Sequence, residues 1–244
     1  MLGLPDATRA CLFDLDGVLT QTAKVHAAAW KQMFDEYLKK RDGGDFQPFD
    51  DVHDYDEYVD GRPRYDGVRA FLESRGIPLP EGEADDPPSA ETIHGLGNRK
   101  NEIVLRMIRE QGVEPYEGSV RYVRAVRDAG LRRAVVSSSA NAHDVLQAAG
   151  IADLFDTVID GNVADREHLS GKPAPDTFLA GARALEVEPT AAVVFEDALA
   201  GVQAGHDGGF GFVVGVNRTG QADALREHGA SVVVDDLADL LDRS

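Results

Sequence analysis

Cysteine is almost absent from this sequence: among 244 residues there is one, Cys11. One thiol cannot form a disulfide within the chain, so a disulfide-stapled extracellular fold is excluded, and we expect a buried, unreactive thiol in a reducing compartment. Long apolar runs are also absent, and residues 1–9 lack the basic and apolar pattern of a secretory signal. We therefore expect a cytoplasmic protein with no membrane partner.

Positive charge is scarce in the sequence. The 25 Lys and Arg residues are outnumbered by 43 Asp and Glu residues, which gives a formal net charge of −18. A surface of this sign repels a nucleic-acid backbone, so we expect no nucleic-acid partner. An anionic small molecule stays compatible with this charge, provided that local positive charge or a metal ion meets it where it binds.

Three common catalytic signatures are missing as well. The sequence has no G-x-x-x-x-G-K-[ST] loop and no G-x-S-x-G segment around any serine. The segment Gly95-Leu96-Gly97 lacks the third glycine and the preceding strand of a dinucleotide fingerprint. These absences argue against a P-loop nucleoside triphosphatase, a serine hydrolase of the nucleophile-elbow type and a dinucleotide-dependent oxidoreductase.

The most informative stretch that is present lies near the N-terminus. The apolar run Ala10–Phe13 predicts a short buried strand, and Asp14, Asp16 and Gly17 follow it. Two carboxylates at the end of a buried strand repel each other and lose hydration, so such a pair titrates abnormally or binds a cation. A polar Asp-Gly turn without any function is the alternative for these residues.

The hydrophobic pattern of the sequence differs between two regions of the chain. From about residue 118 onward, short apolar runs alternate with helical patterns, which predicts a parallel sheet covered by helices on both faces. Residues 22–111 contain helical patterns, the third of which predicts a helix over Asn98–Glu110, an expected loop at 43–60, and no segment typical of a central strand. We predict an α/β protein with a doubly wound, Rossmann-like parallel sheet core formed by residues 1–21 and 112–244, and an inserted α-helical domain at 22–111.

Reactive residues follow several of the predicted strands. Ser137 ends the second strand, Lys172 lies in a proline-flanked turn, and Glu196 with Asp197 follows the apolar run 192–195. Ligands gather at the carboxyl ends of strands in such sheets, and four acidic groups at one edge require a cation. A set of oxygen ligands without cysteine favours Mg²⁺. Helix capping by Asp197, a surface lysine and a plain serine turn are the separate alternatives.

These residues resemble a known family. The segment D-x-D-G-V-L-T at Asp14–Thr20, then Ser137, then Lys172 in K-P-A-P-D, then Glu196-Asp197 are similar, in this order, to the four motifs of the haloacid dehalogenase superfamily of phosphotransferases. Residues 22–111 resemble the small α-helical cap of that family. The resemblance implies that cap closure excludes water, which decides whether a hydroxyl group or water receives the phosphoryl group.

The resemblance also implies roles for the motif residues. Asp14 is the expected nucleophile that forms an aspartyl-phosphate, and Asp16 is the expected general acid and base. Ser137 and Lys172 are expected to hold the phosphoryl oxygens. The implied cofactor is Mg²⁺, and its expected ligands are Asp14, the backbone carbonyl of Asp16, Glu196 and Asp197.

Scattered further matches resemble the β-phosphoglucomutase-like branch of the family. They imply a small sugar phosphate as the partner and a set of substrate-binding residues, namely His26, Trp30, Gly61, Arg64, Lys100, Ser138, Ser139 and Asn141. Arg64 is expected to grip a second phosphate, with a surface arginine as the alternative, and His26 to orient Asp16 or the substrate, with a solvated histidine as the alternative. For Trp30, packing is the favoured interpretation. We expect a monomer.

Two positions depart from that branch. Asp60 and Ala140 stand where the resemblance implies lysines, and Arg62 is a candidate replacement for one of them. Two activities therefore stay open: interconversion of β-glucose 1-phosphate and glucose 6-phosphate, which we favour, or hydrolysis of a sugar phosphate through the same intermediate. A signalling receiver domain, which also phosphorylates an aspartate, is disfavoured because it is about half as long, has no cap and carries its acceptor on a middle strand.

Overall fold

The computed structural model describes residues 2–241, which form two compact units. One unit contains residues 2–21 and 113–241, and the other contains residues 22–112. The first unit holds a six-stranded parallel sheet in the order β3-β2-β1-β4-β5-β6. Its strands are β1 (Ala10–Phe13), β2 (Arg132–Val136), β3 (Thr157–Ile159), β4 (Ala192–Glu196), β5 (Phe212–Val216) and β6 (Val232–Val234).

Helices connect the strands of this unit. The α-helices are α4 (Glu117–Asp128), α5 (Ala142–Ala148), α6 (Gly161–Glu167), α7 (Asp176–Ala184), α8 (Leu199–Asp207) and α9 (Ala222–Glu227). Three 3₁₀ turns lie at Ala152–Leu154, Pro189–Ala191 and Leu237–Leu240. The predicted α/β class with a parallel sheet is confirmed.

The central strand β1 is fully buried because helices cover both faces of the sheet. Successive side chains of a strand point to opposite faces. On one face, Leu12 belongs to a core cluster that includes Phe178 of α7. On the other face, the Phe13 ring stacks on Phe195 with centroids 4.4 Å apart, and Tyr122 of α4 packs against Phe195.

The second unit is helical. Its α-helices are α1 (Ala23–Asp42), α2 (Arg64–Ser74) and α3 (Ile93–Gln111), with a 3₁₀ turn at Gly43–Asp45 and a π-helical turn at Tyr55–Val59. An aromatic core holds them together: Phe34 stacks on Trp30 and Phe49, with centroids 5.3 Å apart in both pairs, and packs on Phe71 at 4.1 Å. Within residues 2–241, none of the helices has the length and apolarity needed to cross a bilayer.

Three sequence-based assignments differ from the structure. The third cap helix was predicted from Asn98 but begins at Ile93, where the Thr92 side chain accepts a hydrogen bond from the backbone N–H of Gly95. Gly95 is needed there because a Cβ atom would collide with the carbonyl oxygen of Ala90. Part of the predicted loop 43–60 is helical, and the short helices α6 and α9 were not predicted.

Candidate active site

Three carboxylates meet at one edge of the sheet. In the register of the sheet, Phe13 of β1 pairs with Phe195 of β4, and the backbone N–H of Asp14 donates to the Phe195 carbonyl at 2.9 Å. Asp14 therefore lies beside Glu196, the last residue of β4, and Asp197 follows it. Carboxylate oxygens from Asp14, Glu196 and Asp197 lie within 4.8 Å of one another, and all three residues are buried.

The Lys172 ammonium lies between two of these carboxylates. Its Nζ atom is 2.5 Å from Asp14 Oδ1 and 2.5 Å from Glu196 Oε1, and it donates to the Val136 carbonyl at 3.3 Å. Lys172 is 2% exposed, so solvent screens these contacts little. One ammonium among three carboxylates leaves an excess of negative charge, which a divalent cation with oxygen ligands would balance. The donor set fits such a cation.

Burial and neighbouring charges shift the pKa values of Asp14 and Lys172. Burial raises the pKa of Asp14 well above its usual range; the Lys172 ammonium opposes that rise, and Glu196 and Asp16 add to it. Burial lowers the pKa of Lys172, but Asp14 and Glu196 more than offset this effect, so the net pKa is raised. Lys172 therefore stays charged at neutral pH.

The carboxylates of Glu196 and Asp197, at the end of β4, each lie close to a glycine. The Glu196 Oε2 atom accepts a hydrogen bond from the Ala198 backbone N–H at 2.8 Å. A Cβ atom at Gly201 would overlap Glu196 Oε1, and a Cβ atom at Gly17 would overlap Asp197 Oδ2. Glycine at these two positions lets the carboxylates lie against the backbone.

Asp16 lies on the turn that follows β1. Its turn closes through a hydrogen bond from the Gly17 N–H to the Thr20 carbonyl at 2.8 Å, with Gly17 at φ +89°. The Ser119 hydroxyl donates to the Val18 carbonyl at 2.7 Å and ties this turn to α4. Asp16 is half-buried, in contrast to the buried Asp14.

The serine segment after β2 forms a compact loop. Ser137 is buried and its hydroxyl accepts from the Ser139 N–H at 3.1 Å, while the Ser139 hydroxyl accepts from the Asn141 N–H at 3.2 Å. Ser138 lies between them and is half-buried. Ser137 extends the strand whose Val136 carbonyl contacts Lys172, so the loop starts beside the carboxylates.

The remaining predicted residues belong to the helical unit. Lys100 is buried, donates to His26 Nδ1 at 2.9 Å and lies 4.7 Å from the centroid of the Trp30 ring. Trp30 itself is 2% exposed and stacks on Phe34. Gly61 has a φ of +69° in the turn before α2.

Arg64 is the first residue of α2 and is half-buried. Its Nη2 atom donates to the Tyr65 hydroxyl at 2.9 Å.

Sequence reasoning missed two residues that support the site from the segment after β5. Arg218 donates through Nε to the Gly17 carbonyl at 2.7 Å, and its guanidinium lies 3.6 Å from the Tyr116 ring centroid. Gln221 Nε2 donates to the Asp197 carbonyl at 3.1 Å. No local signal marks either residue, because their partners lie about 200 and 24 positions away in the chain. By contrast, Gly201 could have been noticed from the sequence. A glycine inside a helix often marks a close approach, here that of Glu196 Oε1.

Comparison with known sequences identifies the family. A family model described as haloacid dehalogenase-like hydrolase matches residues 8–209, which include all four motifs. The chain belongs to the haloacid dehalogenase-like hydrolases. It is therefore an enzyme, as predicted, and the receiver-domain alternative is not retained.

Relatives of this hydrolase include proteins named as a mutase and as a phosphatase. The β-phosphoglucomutase of Mycobacterium bovis is 56% identical over 99% of this chain and 94% of its own length. The fructose-1-phosphate phosphatase of Escherichia coli is 31% identical over 81% of this chain and 91% of its own. The crystal structure of a β-phosphoglucomutase from Clostridium difficile superimposes with a TM-score of 0.74 at 28% identity, covering 96% of this chain and 93% of that one.

Proposed function

We propose that this hydrolase-family enzyme is a Mg²⁺-dependent phosphomutase that interconverts β-glucose 1-phosphate and glucose 6-phosphate. The observation that carries the proposal is the Asp14–Lys172–Glu196 contact at the end of β1, in a chain 56% identical to a β-phosphoglucomutase. A buried carboxylate held beside an ammonium is a suitable acceptor for a phosphoryl group, because the positive charge offsets the charge of the transferred group.

In the proposed reaction, Asp14 is the nucleophile. One of its carboxylate oxygens bonds to phosphorus while the bond from phosphorus to the sugar oxygen breaks, which gives an aspartyl-phosphate. Asp16 donates a proton to that leaving oxygen and then removes one from the hydroxyl group that takes the phosphoryl group back. The half-buried position of Asp16 suits a group that exchanges protons with substrate.

The charge of the transferred group is met by this chain's own residues. Lys172 and the Ser137 hydroxyl hold the phosphoryl oxygens, and the Asp14 carboxylate, the Asp16 backbone carbonyl, Glu196 and Asp197 hold Mg²⁺. When bound, Mg²⁺ supplies charge neutralisation at the phosphoryl group. The Lys172 contacts at 2.5 Å oppose the rise in the Asp14 pKa that burial causes, and so favour the ionised form that this chemistry requires.

The proposed sugar-phosphate contacts are the substrate-binding residues that the resemblance implies. In the sheet unit they are the Ser138, Ser139 and Asn141 groups, and in the helical unit His26, Gly61, Arg64 and Lys100, with Trp30 as packing beneath Lys100. Arg62, the candidate replacement for a missing lysine, donates through Nη2 to the Glu57 carbonyl at 3.5 Å. Asp60 and Ala140 remain the two departures from the lysines that the resemblance implies.

The distinguishing assay supplies β-glucose 1-phosphate, Mg²⁺ and a trace of the 1,6-bisphosphate. Accumulation of glucose 6-phosphate is the expected result. Release of inorganic phosphate without isomer would instead favour the sugar-phosphate phosphatase, the activity of the Escherichia coli relative.

Replacement of the nucleophile tests the chemistry itself. Asp14→Asn keeps the shape of the side chain but removes the attacking carboxylate, so we expect turnover to fall by at least about 10³-fold with the fold retained, a loss of about 4 kcal/mol of transition-state stabilisation. Asp223→Asn at an exposed position of α9 is the matched control and should keep full activity. Undiminished turnover by Asp14→Asn would rule out the aspartyl-phosphate.

A further inference from the structure

The guanidinium of Arg64 is held by a chain of hydrogen bonds inside the helical unit. Arg64 Nη2 donates to the Tyr65 hydroxyl at 2.9 Å, and that hydroxyl contacts Asn98 Oδ1 of α3 at 2.8 Å. This series of hydrogen bonds ends at the backbone of the acidic loop before α3. There Asn98 Nδ2 donates to the carbonyls of Ala84 at 3.1 Å and Asp86 at 2.9 Å.

The direction of every bond in this chain is determined. Two backbone carbonyls accept from the Asn98 amide nitrogen, so its oxygen must face Tyr65. That oxygen can only accept, and the single proton of the Tyr65 hydroxyl is therefore given to Asn98. The lone pairs of the hydroxyl are left to accept from Arg64, which can only donate.

The Tyr65 ring also has close contacts that fix its position. It stacks on His94 with centroids 4.0 Å apart and an interplanar angle of 2°. Gly97 allows this position, because a Cβ atom there would lie 2.6 Å from the ring. The Arg64 guanidinium also lies 4.7 Å from the ring centroid, within range of a cation–π contact.

We propose that Tyr65 is a positioning residue that pre-orients Arg64 to bind the phosphate that is not being transferred. The inference rests on the proposed function, in which Arg64 grips that phosphate. Tyr65 uses one of the five N–H donors of the guanidinium and leaves donors for a forked contact with phosphate oxygens. A long, flexible side chain that is ordered before the ligand arrives loses less entropy on binding, so the benefit appears in affinity.

The test removes one oxygen atom. In Tyr65→Phe the ring stays but the hydroxyl is lost, and we expect the KM for β-glucose 1-phosphate to rise about 10-fold while kcat changes less than about 2-fold. Tyr58→Phe is the matched control, since Tyr58 lies in the same unit and its ring packs on Phe71. It should leave both constants unchanged. Thermal unfolding of the two variants checks that the fold is intact.

A double-mutant cycle separates positioning from general packing. Arg64→Ala should raise the KM by about 10²-fold, and adding Tyr65→Phe to it should cause no further change, because the two residues act as one unit. Asn98→Ala, which leaves the hydroxyl without its acceptor, should give a smaller rise in KM and serves if Tyr65→Phe does not fold.

The outcomes distinguish this inference from the proposed function. If wild-type enzyme forms no glucose 6-phosphate, the proposed function fails. If wild type isomerises the sugar phosphate and Tyr65→Phe keeps its KM, or if the effects of the two substitutions simply add, the positioning role of Tyr65 is refuted.

Discussion

At the scale of single residues, Lys172 is the charge on which the site depends. A buried ammonium between two buried carboxylates compensates their desolvation, and removal of one partner from such a group leaves charge with no counter-ion. The same side chain lies 4.8 Å from the centroid of the Phe178 ring, so the site is joined directly to the core beneath the sheet.

Replacement of Lys172 should therefore destabilise the protein as well as inactivate it. In Lys172→Met we expect the free energy of unfolding to fall by about 3 kcal/mol in metal-free buffer, because Asp14 and Glu196 lose their shared cation. Urea unfolding measures this change. Lys24→Met, at an exposed position of α1, is the control and should stay within about 0.5 kcal/mol of wild type. An equally small effect at Lys172 would contradict the account of the site.

Residues differ in how far sequence could reveal them. Asp14 and Asp16 stood out because they follow an apolar run, whereas Lys172, in a proline-containing turn, stood out only through the family resemblance. Tyr65 and Arg218 did not stand out, because their partners Asn98 and Gly17 lie 33 and 201 positions away. Contacts of this range depend on the packed fold, which no local pattern encodes.

At the scale of elements, the turn after β1 is shaped by one glycine. Gly17 has a φ of +89°, a conformation that other residues adopt at a cost, and its α-carbon faces the Asp197 carboxylate. The Asp197 carboxylate occupies the space that a Cβ atom at position 17 would need, so only glycine fits there.

A methyl group at this position should displace the carboxylate. We expect Gly17→Ala to weaken Mg²⁺ binding by at least about 10-fold, measured by calorimetric titration, since Asp197 must move away from the other ligands. Gly220→Ala is the matched control: its φ is +83°, but nothing lies within 4 Å of the added carbon. Both variants bear the backbone strain, so equal Mg²⁺ affinity in the two would show that the contact with Asp197 is unimportant.

The strands were more predictable than the two short helices α6 and α9. Each of the six strands contains an apolar run, although β2 begins with Arg132 and Arg133. The missed start of α3 has a physical cause, since Gly95 and Gly97 disfavour helix locally but provide room for Ala90 and Tyr65. Tertiary contacts outweigh local propensity at those two positions.

At the scale of the whole molecule, the proposed Mg²⁺ ligands all belong to the sheet unit. We therefore expect added Mg²⁺ to slow amide hydrogen exchange in residues 10–20 and 192–198, by up to about 100-fold at 100 times the Kd, with little change in residues 22–112. KCl at matched ionic strength is the control for screening. Protection spread evenly over both units, or none in either, would contradict the proposed ligand set. The expected monomer and the absence of a nucleic-acid partner stay predictions.

The order of the strands has a consequence for synthesis on the ribosome. β1 precedes every other strand of the sheet in the sequence, yet its two neighbours, β2 and β4, come from residues 132–136 and 192–196. Residues 22–112 form a contiguous unit whose contacts are complete once it has emerged, whereas β1 must wait for more than 180 further residues. Until residues 132–136 have been made this four-residue apolar strand has no partner, and it gains its second neighbour only with β4, so nascent chains stalled before β4 are the ones that a chaperone should bind.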